Sequence, residues 1–401
     1  MSYADNIVPP ETTALNQILP EEPLLLMGAG PVPVPVQVAR ANGVVINHLG
    51  DDMNRVIDAV QTMSRYAFQT TAEKIIGISG PSSAAMEMAI CNLLWEKQKV
   101  LVCKNGTFSG RFAEMADQIG AQVTIIEPLG PGPITAEQVS DAFEKGNYDV
   151  LTVVQGETSS GVETTELQQI ITIAKENECV TIVDAVCTLT TMPLPMDDWG
   201  IDAVITGGQK GLSSIPGVSL VAFSDEAWTR IENRKNAPAQ WVLDAQKAWG
   251  FWGNKDYHYT APVPGILAIH EALRLIVEET LPQRFKRHSA SSEALQAGVE
   301  AMGMQLFADK EHRLNSVVAI DTPEGVESYK LRRAMVDRFG VEISGAFGYD
   351  IVRIGQMGEQ CRPHRLFRTL YALGVCAKEL GAELDVAAGM AKLEQKLEEL
   401  S

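Results

Sequence analysis

Positive charge is scarce in this chain. Among its 401 residues, 33 lysines and arginines face 51 aspartates and glutamates, giving a net charge of −18. Nucleic-acid binding needs a basic footprint for the phosphates, and docking on an anionic bilayer needs the same, so the charge argues against both. Long apolar runs are missing too. None approaches the ~20 residues of a membrane span. The first residues, Met1-Ser2-Tyr3-Ala4-Asp5-Asn6, lack the basic and apolar regions of an export signal, and Glu398-Glu399-Leu400-Ser401 is not a peroxisomal address. Cysteine is sparse. Cys91, Cys103, Cys179, Cys187, Cys361 and Cys376 show neither CxxC nor metal-ligand spacing, and the six histidines form no ligand pair. A zinc site is disfavoured, and a cytoplasmic protein with reduced thiols is the expectation. Repeats and low-complexity tracts are absent.

What remains is an ordinary globular composition, 45% apolar. The length predicts two domains. Residues 1–23 read as a polar arm. A stiff, extended loop is expected from Leu24 through Gly28-Ala29-Gly30-Pro31 to Pro35, where glycines and alternating prolines exclude helix and ladder. Its place before the first domain makes it a candidate wall of a site. From about 51 to 276, helical periods alternate with short apolar runs at 99–103, 123–126, 150–154, 180–183, 203–206 and 218–223. A glycine-rich turn is expected at 77–83, leading into a helix from 84 to 96. Alternation of this kind, with unbroken apolar strands, predicts a mostly parallel α/β sheet buried on both faces. From 277 the rhythm changes to a smaller α+β domain running to 401. It opens with a helix at 281–302 and has strands at 316–320 and 351–354.

Open α/β sheets bind ligands at the carboxyl ends of their strands, so the residues just past each strand are the candidates. Ser82 and Ser83 open a helix. That suits an anion, though a plain helix cap reads the same way. Phe108 follows the strand at 99–103. Thr158 lies in Gly156-Glu157-Thr158-Ser159-Ser160-Gly161. Asp184 ends the strand at 180–183. Gln209 and Lys210 follow Gly207-Gly208. Taken singly, Lys210 is more simply a loop lysine. Taken together, these groups fit one ligand: an anion cup for a phosphate, an aromatic face for a flat ring, a carboxylate for a ring N–H⁺, and an amine for an aldehyde. That ligand is pyridoxal 5′-phosphate, whose ring accepts electrons from a substrate carbanion. Burial of the lysine would favour its neutral, nucleophilic form.

From about Leu24 onward the sequence resembles the class V, fold type I, pyridoxal-phosphate aminotransferases of the alanine–glyoxylate and serine–pyruvate subgroup. The resemblance is carried by the 156–161 segment, Val183-Asp184-Ala185-Val186, Gly207-Gly208-Gln209-Lys210-Gly211, Tyr257-His258-Tyr259-Thr260-Ala261-Pro262 and Val352-Arg353-Ile354-Gly355. It implies a fold type I transferase. A large domain at 24–276 carries a mostly parallel seven-stranded sheet, and a small domain spans 277–401. It also implies roles. Lys210 forms the Schiff base and shuttles a proton. Asp184 pairs with the ring nitrogen, Phe108 stacks on the ring, and Thr158 touches the ring oxygen. Ser82, Ser83 and Gln209 hold the phosphate. Tyr257 and Thr260 reach the phosphate in the neighbouring subunit of a homodimer. Arg353 grips the substrate carboxylate, and Gly28 and Ala29 wall the substrate. The implied reaction moves an amino group from a small amino acid to glyoxylate or pyruvate. The Arg353-Ile354-Gly355-Gln356-Met357-Gly358 stretch is similar also to the pyridoxamine–pyruvate and ureidoglycine–glyoxylate branches. A PLP lyase or cysteine desulfurase is the rival reaction class. Two features stand apart. Pro81 removes one N–H from the phosphate turn, and His48 resembles a position near the substrate entry or is a plain helix-edge histidine.

Overall fold

The computed structural model describes residues 7–400. Positions 1–6 of the expected arm lie outside these. Residues 7–23 are exposed throughout and carry one short helix, Leu15–Ile18.

Seven strands form the main sheet: β1 (Lys74–Gly80), β2 (Lys99–Cys103), β3 (Gln122–Ile126), β4 (Val150–Val154), β5 (Val180–Asp184), β6 (Ala203–Gly207) and β7 (Gly217–Phe223). Their order is β1-β7-β6-β5-β4-β2-β3. Neighbours run parallel except at β7, which is antiparallel to β1 and to β6. The unbroken apolar runs explain the centre of the sheet. Every residue of β4 and of β6 is buried, because helices cover both faces. β3, at the edge, exposes Gln122, Thr124 and Ile125. The parallel direction brings the carboxyl ends of β1, β2, β4, β5 and β6 to one side of the sheet.

One expectation fails locally. The glycine-rich turn at 77–83 is mostly strand: Lys74–Gly80 pairs along its whole length with Gly217–Phe223. Ile75, Ile76 and Ile78 are buried there. Gly77 is inside the strand because Trp252 fills the space a side chain would take, with a Cβ falling 2.0 Å from Trp252 Cζ2. The real turn is only Gly80-Pro81, and the helix starts at Ser82.

A second core lies in the C-terminal part, around Leu295, Val299, Leu331, Val352, Ile354 and Leu370. Its sheet contains Val317–Asp321, Ile351–Gly355 and Ser344–Gly345. The helix Leu281–Met302 ties the two cores together: Leu281 packs in the first and Met302 in the second. Leu25–Leu26 pairs with Val341–Glu342, and Met27 is buried in the second core. By packing, residues 25–27 therefore go with the C-terminal body rather than with the large domain expected from residue 24. No helix among the described residues is long and apolar enough to cross a membrane.

Candidate active site

A cavity of about 410 Å³ opens where the parallel strands end. Ser82, Ser83, Phe108, Thr158, Asp184, Gln209 and Lys210 all line it. They come from five separate strand ends, and the sheet order alone assembles them.

Asp184 is the last residue of β5 and is buried. Its Oδ1 accepts a hydrogen bond from Val186 N at 2.8 Å. Burial pushes its carboxyl up to about 7, and the nearby Glu157 adds to the rise, while the Val186 N–H, Lys210 and Arg111 oppose it. Lys210 sits in the turn after β6, and its Nζ donates to the Ala29 carbonyl. Burial lowers its pKa below the usual lysine value, helped by the positive charges of Arg353 and Arg111 and opposed by Cys187 and Asp184. A carboxyl raised and an amine lowered in one cavity are the perturbations expected of a functional site. Gly30, with φ of +100°, is needed at the approach: a Cβ there would lie 2.6 Å from Lys210 Nζ.

At the far end Gln209 Nε2 donates to Ser82 Oγ at 2.8 Å. Gly207 leaves this cup open, since a Cβ would fall 1.9 Å from Ser82 Oγ. Thr158 holds the opposite wall, and its carbonyl accepts from Arg353 Nη1. Arg353 is buried in the strand Ile351–Gly355, with Nε donating to Gly345 O at 2.8 Å and Nη2 to the same oxygen. Burial pulls its pKa down to about 10. Of the expected wall loop, Gly30 and Pro31 line the cavity, and Gly28-Ala29 sits just outside it, tied to the second core. Ala29 N donates to Ser344 Oγ at 3.1 Å, and Gln360 Nε2 donates to Gly28 O at 2.8 Å.

Tyr257 and Thr260 do not join this cavity. Both are exposed, and Tyr257 lies against His48 with ring centres 5.9 Å apart. His48 Nδ1 accepts from Ala261 N at 3.4 Å.

Residues 37–360 match the family described as Aminotransferase class-V. The chain belongs to that family. This aminotransferase is 34% identical over 364 residues to the alanine–glyoxylate aminotransferase of Oryctolagus cuniculus, spanning 88% of this chain and 91% of that one. The solved ureidoglycine–glyoxylate aminotransferase of Bacillus subtilis superposes with a TM-score of 0.91 at 28% identity, covering 95% of this chain and 99% of the other. The pyridoxamine–pyruvate aminotransferase of Mesorhizobium loti gives a TM-score of 0.90 at 25% identity, with 96% and 100% covered. The expected fold and reaction class, a fold type I transferase that moves amino groups, are borne out. The family uses pyridoxal phosphate.

Two residues of the aminotransferase escaped sequence reasoning. Glu157 is fully buried, and its carboxylate gathers Phe108 N, Ser109 N, Ser109 Oγ, Ser159 N and Ser159 Oγ at 2.6–3.1 Å. It pins the start of helix Thr107–Ile119 to the 156–160 loop, an acid at a helix N-terminus. Its presence in the 156–161 motif was the only signal. Arg111 also lines the cavity, and only its spacing three residues beyond Phe108 hinted at it.

Proposed function

We propose that this aminotransferase transfers an amino group from alanine, serine or a similar small amino acid to glyoxylate or pyruvate, in two half-reactions on pyridoxal 5′-phosphate held in this cavity. The observation that carries the reading is the meeting of Lys210 and Asp184, from different strands, in one cavity with Phe108, Thr158 and the Ser82–Ser83–Gln209 cup. The residues fit the group. Gln209 Oε1 is buried with no hydrogen-bond partner among the described residues. Turned about its terminal bond, that amide offers its NH₂ to a phosphate while Ser82 donates to its oxygen.

When bound, the cofactor supplies an electron sink for charge left at the substrate Cα. The chain does the rest. Lys210, its pKa lowered, would hold the group through its aldehyde and, once the substrate amine has displaced it, would move the Cα proton. Asp184 would pair with the ring N–H⁺, whose charge would draw the carboxyl back toward ionisation. Phe108 forms the flat wall. Arg353 keeps two of its five N–H groups beyond the three bonded to Gly345 O and Thr158 O, enough for one carboxylate.

Tyr257 and Thr260 serve the phosphate of a second copy in a homodimer. Supporting this, Tyr257 is exposed, as are the large apolar side chains Val36, Val45, Trp241 and Val242. Free cysteines suit a cytoplasmic setting.

Ureidoglycine–glyoxylate or pyridoxamine–pyruvate transfer is the second reading, favoured by the overall likeness to those two solved structures. Cysteine desulfuration fares worse, because it needs a mobile thiolate. All six cysteines are buried, and burial pushes the Cys187 thiol in this cavity up to about 12. The test is to add alanine, serine, pyridoxamine and ureidoglycine singly and follow loss of the bound cofactor's visible band. Conversion by pyridoxamine or ureidoglycine alone would overturn the leading reading.

A further inference from the structure

The cup around Ser82 and Ser83 has a deficit of positive charge. A phosphate monoester carries close to two negative charges at neutral pH. Ser82, Ser83 and Gln209 are neutral donors. Helix Ser82–Leu93 offers a partial positive charge at its start. That start is weakened, however, because its N-cap is Pro81, which has no N–H and makes no side-chain cap bond. Neutral hydroxyls and a helix end leave most of a dianion uncompensated.

One cation reaches this cup. Among the residues lining the cavity, the charged ones are Asp184, Lys210 and Arg111. Lys210 is held at Ala29, on the wall tied to the second core. Arg111 comes from helix Thr107–Ile119, one helix over, and its Nη1 donates to Ser83 Oγ at 3.1 Å. Its guanidinium lies 4.7 Å from the centre of the Phe108 ring, which fixes its direction. Among the described residues no carboxylate forms an ion pair with it. A guanidinium in a cavity wall, bonded to a hydroxyl of an anion cup and unpaired with any acid, has the chemistry of an anion ligand. Arg353 is elsewhere, bonded to Gly345 O and Thr158 O, so the two arginines divide two anionic groups between them.

We propose that Arg111 is the charged ligand of the cofactor phosphate and takes over the role of the donor lost at Pro81. The proposal rests on the pyridoxal-phosphate reading above. It is tested on full-length protein freed of cofactor, titrated with pyridoxal 5′-phosphate and, separately, with pyridoxal, which has the same ring and aldehyde and no phosphate. Binding is followed by absorbance and intrinsic fluorescence. Arg111→Ala is expected to weaken pyridoxal 5′-phosphate by about ten- to a hundredfold while pyridoxal shifts by less than about threefold, the limit left for an uncharged ring contact. Retained pyridoxal binding also demonstrates that the variant is folded. Arg111→Gln, which keeps a donor for Ser83, is expected to repeat the pattern, and Arg111→Lys to recover part of the loss. Unchanged pyridoxal 5′-phosphate affinity in Arg111→Gln overturns the proposal. So does an equal loss for both ligands, which would make Arg111 only a prop for Phe108. If the unmodified protein binds neither ligand, the cofactor reading itself fails, an outcome distinct from both.

Discussion

The sheet side of the cavity and the segment that faces it from the C-terminal body are built differently. The wall with Asp184, Phe108, Gln209 and Ser82 is a row of strand ends from one sheet. Each side chain is fixed by the strand before it, and the centre of that sheet is fully buried. The other side, Gly28, Ala29 and Arg353, lies outside the cavity's own lining, goes with the C-terminal body, and meets the sheet side through single hydrogen bonds. Lys210 donates to Ala29 O and Arg353 donates to Thr158 O across the gap, while Ala29 N–Ser344 and Gly28 O–Gln360 hold the segment to its own body. The first wall is rigid in the way a packed core is rigid. The second depends on contacts that one substitution can break. Cofactor binding should therefore resist changes in the second core, and substrate affinity should not.

Lys210→Ala should have the largest effect. Loss of the proton-moving amine is expected to cut turnover by about 10²–10⁴-fold and to abolish the visible band of the attached cofactor. A band that survives in the variant rules out the assigned lysine.

Asp184→Asn separates stability from function on the rigid wall. The folded-state pKa is raised to about 7. The protonated acid therefore stabilises the cofactor-free fold fully below the unfolded value of ~3.9. That contribution is lost as pH rises toward about 7. Unfolding followed at pH 5 and pH 8 should show the unmodified chain losing about 3 kcal/mol relative to Asp184→Asn. The same variant should bind cofactor more weakly. Parallel pH dependence in the two proteins would contradict the buried acid.

Arg353→Lys tests the stitched wall. A point charge replaces a fork, so KM for both substrates should rise about ten- to a hundredfold with cofactor affinity unchanged. Weakened cofactor binding of the same size would erase the proposed division between walls.

Ser344→Ala is the mildest probe. It removes the acceptor for Ala29 N, worth about 1 kcal/mol. A roughly fivefold rise in KM is expected, read by steady-state kinetics with the cofactor band as control. An effect on the band instead of KM would place the Gly28–Ala29 segment with the cofactor wall.

Much of the rigid wall was legible because it obeys local rules. Val150–Val154 and Ala203–Gly207 are strands by their apolar β-branched runs, and the residue after a parallel strand points to the ligand edge. The Gly77 strand was not legible. Two glycines read as a turn, and only the Trp252 ring packed against Gly77 shows why they sit in a ladder. Arg111 was not legible either, since an arginine on an amphipathic helix is ordinarily solvated. Its bond to Ser83 spans 28 residues and two helices. Leu25–Met27 read as part of the large domain, and a ladder to Val341–Glu342 draws them into the second core.

Sequence by itself determined the alternating pattern, the mostly parallel sheet and the residue types at its strand ends. These follow from periodicity and burial, which act within a few residues. The tertiary structure decided which of those ends are neighbours. It inserted β7 backwards beside β1, brought Arg111 to the cup, and bound the Gly28–Ala29 wall to a different core. Strand order and long-range hydrogen bonds depend on packing between residues tens to hundreds of positions apart, and no local pattern encodes that.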